Sequence, residues 1–179
     1  LAGNILYIPY TIVMIIGLII LGAVIIFKKS KTAAKNFFIF SIPIFILFQF
    51  YFWNLEFNDY VKSYLFPSKV FECEYVEELK NISIPLPERT VFKGKSDGCS
   101  LFYSTYVNVS EFKSFYQEEL RTLKSKGIIQ EYKYTELSDN DGTENKGFAA
   151  ELPSGSKINF FIQRREGSGL ISIAYEPNN

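Results

Sequence analysis

Histidine is absent from the 179 residues, and there are only two cysteines, one methionine and one tryptophan. Without histidine the chain lacks the commonest general base and the commonest metal ligand. Neither a Ser-His-Asp nor a Cys-His site can be assembled from it alone. Two cysteines also fall short of the usual four-ligand structural zinc site. Charge is scarce in one region above all. The only charges in residues 1–55 are Lys28, Lys29, Lys31 and Lys35, with no acid. The other 15 Lys and Arg and all 19 Asp and Glu lie in residues 56–179, which therefore carry a net charge of −4. A mildly acidic domain lacks the concentrated basic face that nucleic-acid phosphates require, so no nucleic-acid partner is expected.

What fills the charge-poor region is apolar. Residues 5–27, ILYIPYTIVMIIGLIILGAVIIF, form a run of 23 without a charge. As a helix it is about 35 Å long, against a hydrocarbon core of about 30 Å. Its basic residues follow rather than precede it, as in a stop-transfer segment and unlike a cleaved signal peptide. A second run, FFIFSIPIFILFQFYFW at 37–53, can be extended towards the basic loop by Thr32, Ala33 and Ala34. Pro43 is expected to kink it, with Ser41 or a neighbouring helix satisfying the freed carbonyl. Gln49 is the one strongly polar side chain inside. It is expected to face the first span or a partner, or else to sit near the interface one turn from Trp53.

These patterns predict a two-span transmembrane hairpin over residues 1–54. Its connecting loop, 28–36, holds all four lysines and is expected to stay cytoplasmic, because basic short loops do. Tyr7 and Tyr10 mark the opposite end of the first span, and Tyr51 and Trp53 that of the second, where amphipathic rings favour the interface. The remainder of the chain is then expected outside the cytoplasm, at the plasma membrane. Residues 55–69 read as a juxtamembrane linker. Phe57, Tyr60, Val61, Tyr64 and Leu65 recur at helical spacing until Pro67. Such a segment continues the second span, lies on the outer leaflet, or packs on the domain that follows.

Residues 70–179 read as an extracytoplasmic α+β domain: an antiparallel sheet of about five or six strands packed with one main helix. VFECEYVEELK at 70–80 is ambiguous between helix and strand. Pro85 and Pro87 favour an extended stretch, and TVFKG at 90–94 begins a strand. In SLFYSTYV, 100–107, Leu101, Tyr103, Thr105 and Val107 share one face, with Phe102 and Tyr106 on the other. A helix follows, capped by Asn108 or Ser110, with Glu111 placed for a capping box. Its stripe is Phe112, Phe115, Tyr116, Leu120 and Leu123, and Gly127 ends it. Strand patterns recur at 128–137, 147–152, 157–164 and 169–175. The turn-rich sequences between them predict antiparallel neighbours.

Cys73 and Cys99 both fall in this domain, and outside the cytoplasm such a pair is expected to form a disulfide. No catalytic set, cofactor site or metal site is complete. Ser110 with Lys113 fits S-x-x-K, but the S-D-N and K-T-G partners are missing and capping explains Ser110; Ser154 with Lys157 is a weaker match in a hairpin turn. Gly94-Lys95-Ser96 would need a glycine where Arg89 stands to be a P-loop. Asp139, Asp141 and Gly142 resemble a calcium loop, but alignment puts Leu137 and Phe148 at ligand positions. Tyr103, Tyr106, Tyr132 and Tyr134 read as cross-strand packing or a recognition surface. The favoured reading is a non-catalytic binding, sensing or accessory domain with the lipid bilayer and a membrane or envelope protein as partners. An enzyme working through Glu72, Glu74, Glu77 and Glu78, or a small subunit assembled through Gln49 and the Pro43 kink, are the alternatives.

Overall fold

The structure is a computed structural model describing residues 7–96, 98–138, 144–164 and 167–178. The chain divides into two compact units, Leu1–Asp59 and Tyr60–Asn179.

In the first unit, α1 (Tyr7–Lys28) and α2 (Lys31–Trp53) are joined at Lys29 and Ser30. Ser30 caps α2 by accepting from the Ala33 backbone N–H at 3.1 Å, which supplies one of the orphan donors with a partner. Tyr7 packs against Phe52 at 5.0 Å, Thr11 bonds Gln49, and Gly22 lies under the Phe38 ring. These pairs close in towards the connection, so the helices form an antiparallel hairpin. Gly22 and Ala34 are the buried positions on them. Most of the other apolar side chains are exposed, among them Val13 at 67%, Phe40 at 71% and Leu47 at 60%, while a seam that includes Met14, Leu18, Phe38 and Phe45 is half-buried. A soluble core helix would bury such residues; both helices are long and apolar enough to cross a membrane. α2 is one helix through Pro43, and Ser41 Oγ has no hydrogen-bond partner. Ser41 therefore does not supply the substitute bond expected of it at the proline.

A third helix, α3 (Leu55–Leu65), crosses from the first unit into the second. Its periodic apolar stripe does not become its buried face. Tyr60, Tyr64 and Leu65 are exposed, whereas Asn58 and Ser63 are buried.

The ambiguous stretch after it is neither a helix nor a long strand. It holds a two-residue strand, β1 (Val70–Phe71), and a single 3-10 turn at Glu77–Leu79, and β1 pairs with β2 (Ile84–Pro85). The main sheet comprises β3 (Thr90–Lys95), β4 (Leu101–Thr105), β5 (Glu131–Ser138), β6 (Glu144–Glu151), β7 (Lys157–Arg164) and β8 (Gly169–Glu176). All its pairs are antiparallel, in the order β3-β4-β8-β7-β6-β5. The last strand thus inserts between β4 and β7, joining the β3–β4 hairpin to the β5–β6–β7 strands.

α4 (Val109–Ser125) covers one face. Its capping box is complete: Asn108 Oδ1 accepts from the Glu111 N–H at 2.9 Å, and Glu111 Oε2 from the Asn108 N–H at 2.8 Å. Phe112, Tyr116, Leu120 and Leu123 are buried against Phe148, Ile158, Phe160, Ile162, Ile171 and Ile173 of the sheet. Inward and outward positions alternate along β7 as the pleat requires. The structure is thus α+β, with four α-helices and a six-stranded antiparallel sheet among the described residues.

Candidate functional site

In the hairpin, Gln49 Oε1 accepts from Thr11 Oγ1 at 2.7 Å and from Trp53 Nε1 at 3.0 Å. The amide oxygen is therefore occupied within the hairpin. Lys28, Lys29, Lys31 and Lys35 are all exposed around the connection. Lys31 and Lys35 stand at the start of α2, where the helix dipole disfavours cations. Helix electrostatics therefore does not explain their position.

In the second unit Cys73 and Cys99 lie at disulfide distance, Cα to Cα 5.7 Å. Both are buried. The pair joins the irregular 70–80 segment to the turn between β3 and β4.

The four glutamates proposed for catalysis do not act together. Glu72, Glu74 and Glu77 are exposed, and Glu77 pairs with Lys80 three residues on. Glu78 instead turns to the far end of the sheet. Its carboxylate accepts from Ser154 Oγ and from the Tyr175 hydroxyl, the latter at 3.0 Å. Ser156 Oγ lies 3.1 Å from the Tyr175 hydroxyl and 3.0 Å from Ser154 Oγ, while Ser154 Oγ also accepts from the Ser156 N–H at 3.1 Å. A serine donating to a carboxylate has the outline of a nucleophile with its base. Here, though, every hydroxyl is committed to a neighbour, and the Asn178 amide further closes the turn by donating to the Ser154 carbonyl at 3.0 Å. The cluster ties the 3-10 turn, the β6–β7 turn and β8 into one knot.

A second constellation was not singled out from the sequence. Arg89 precedes β3 with φ +56°, a left-handed conformation unusual for a residue with a Cβ. Its guanidinium carbon lies 4.2 Å from the Tyr64 ring centroid, 4.9 Å from Tyr106 and 5.2 Å from Tyr60. Cation–π attraction to three rings stabilises the charge. The Nε and Nη2 atoms are buried and have no hydrogen-bond acceptor. The Tyr64 hydroxyl is held above its ordinary pKa, first by its hydrogen bond with Tyr60 and then by loss of water, while Arg89 pulls the other way. Ser68 straps the preceding segment to β3, donating its N–H to the Thr90 carbonyl at 2.7 Å and accepting the Phe92 N–H at 3.0 Å. Between strap and helix lies an open recess of about 440 Å³, bordered by Ser63, Tyr64, Ser68, Lys69, Glu88 and Arg89.

The remaining sequence candidates are structural. Asn108 is the cap of α4 and Ser110 lies exposed in its first turn. Tyr103 is buried rather than displayed, and Tyr132 and Tyr134 pack against the core. Asp139, Asp141 and Gly142 lie outside the described residues. Among the described residues no three acidic or cysteine side chains converge as a metal site would require. No family model matches the chain, and neither the curated proteins nor the solved structures compared with it include a match.

Proposed function

We infer that the chain is a membrane-anchored extracytoplasmic module whose folded unit binds or senses rather than catalyses. The reading rests on one observation: two long helices expose their apolar side chains on nearly every side, while the second unit has a complete core of its own. Bilayer is the solvent that would make the first arrangement favourable, and the four lysines at the turn support a cytoplasmic position for it. The Glu78 knot supports a structural role for the carboxylate nearest to serine hydroxyls, and the exposed Tyr64, Leu65 and Phe66 supply contact chemistry instead.

The test is surface crosslinking in intact cells with a membrane-impermeant amine-reactive reagent. The expected outcome is a discrete crosslinked species retained by Gln49→Leu and by the combined Glu72→Gln, Glu74→Gln, Glu77→Gln variant. Loss of the species in Gln49→Leu, with the fold intact, would favour assembly through the hairpin. If the glutamate variant alone abolishes a cellular phenotype, the carboxylate-enzyme reading takes over; no crosslinked species at all overturns the binding reading.

A further inference from the structure

We propose that the recess between Lys69 and Arg89 is a site for the phosphodiester headgroup of an anionic phospholipid in the bilayer that anchors the chain. This deepens the anchored reading above and rests on it.

Arg89 carries the argument. A guanidinium is a planar fork of donors matched to phosphate oxygens, and the buried Nε and Nη2 of this one lack acceptors. The tyrosine rings stabilise its charge and leave Nε and Nη2 without an acceptor. The backbone at Arg89 is held at φ +56°, a cost that persists where the surroundings impose it and that concentrates at binding sites. Lys69, exposed on the rim, makes no ion pair among the described residues. The Ser68 hydroxyl accepts from Phe92 and keeps its own proton to donate.

Charge selects among phosphates. Lys69 and Arg89 against Glu88 leave one positive charge on the recess, which matches the single negative charge of a phosphodiester. Glu88 repels a phosphate dianion, yet it can accept from a headgroup hydroxyl such as that of a glycerol. Its volume of about 440 Å³ is that of a small-molecule site.

The surroundings point to lipid as the source. Tyr64, Leu65 and Phe66, beside the recess in sequence, are 57%, 63% and 73% exposed. An aromatic and aliphatic shelf flanked by Lys62 and Lys69 is the composition of segments that sit at the headgroup–acyl boundary. Lys69 also follows Trp53 by only sixteen residues, eleven of which form α3. The helical part contributes just about 16 Å of length, so the tether between the second span and the recess is short.

The full chain, purified in detergent, is mixed with equimolar phosphatidylglycerol and phosphatidylcholine and its adducts are read by native mass spectrometry. Phosphatidylglycerol should dominate, and Lys69→Ala and Arg89→Gln should each lower its retention about tenfold. The exposed Lys126→Ala, which removes the same charge elsewhere, should leave it unchanged. Arg89→Lys, which keeps the charge and loses the fork, should fall between. An unchanged denaturant midpoint certifies the fold of each variant. Equal retention of the two lipids, or full retention in both recess variants, overturns the proposal. Displacement of the lipid by inorganic phosphate alone identifies a free-anion site and overturns the lipid assignment. A chain that resists alkaline extraction from membranes yet shows no lipid preference loses only this inference. A chain released by that extraction loses the anchored reading as well.

Discussion

Tyr103 illustrates how much a single buried group reveals about stability. Burial pushes its hydroxyl up to about 12, and burial likewise raises Tyr116 well above the ordinary value. In the unfolded chain both ionise near pH 10. Above that pH the unfolded state therefore binds fewer protons than the folded one, and stability falls as pH rises. Denaturant unfolding of the full chain should show a loss beginning near about pH 10 that Tyr103→Phe reduces. Indifference of the Tyr103→Phe variant across that range would contradict the assignment. Asn108→Ala should cost about 1 kcal/mol by the same measurement at neutral pH, since it removes half of a reciprocal cap. That cap was legible in the sequence because N-x-x-E is a local signal. Arg89 was not, because its three tyrosines come from α3 and from the residue after β4, and nothing local in the sequence marks its left-handed backbone.

Among the elements, those whose pattern is local were read well and those that depend on distant partners were not. The stripe of α4 emerged at the expected positions, with only Phe115 left half-buried. The alternation of Ile158, Phe160 and Ile162 likewise matched the inward face of β7. The insertion of β8 between β4 and β7 had no sequence signal, because a strand pattern carries its own period and says nothing of its neighbour. The stripe of α3 left its alternatives open for a related reason: periodicity identifies an apolar face without saying what, if anything, covers it. The sharpest test at this scale is Gly147, on β6. A Cβ there would run into the Phe160 carbonyl and lie 2.7 Å from the Phe161 ring. Both belong to the adjacent strand, whose backbone has little room to yield. Gly147→Ala should destabilise the sheet by about 1–3 kcal/mol, read as a lowered denaturation midpoint. An unchanged midpoint would mean that β6 and β7 are not in this register.

At the scale of the whole molecule the chain has two characters. The two hairpin helices are long and apolar enough to cross a membrane, the six-stranded unit has a core of its own, and the division of charge between residues 1–55 and 56–179 made that contrast legible from composition alone. The candidate site was far less legible, because it is made of a tyrosine, a lysine and an arginine of ordinary appearance in sequence. The cysteines link the two levels. Cys73 and Cys99 are separated by 26 positions, and bridging a loop of that length contributes about 3.5 kcal/mol by the chain-entropy argument. Cys73→Ser with Cys99→Ser should lower unfolding stability by about that amount, and reductant should do the same to the unaltered chain. An unmoved stability in both cases would show the thiols to be unlinked.

The orientation of the chain is the central claim, and the same two cysteines test it without engineering. Intact cells are treated with a membrane-impermeant thiol reagent, with and without an external reductant, and the chain is then examined for label. Labelling that appears only after reduction, under conditions that open the folded unit, is the predicted result: the domain lies outside and its cysteines are bonded. Labelling that requires permeabilisation of the membrane would place the domain in the cytoplasm and contradict the account.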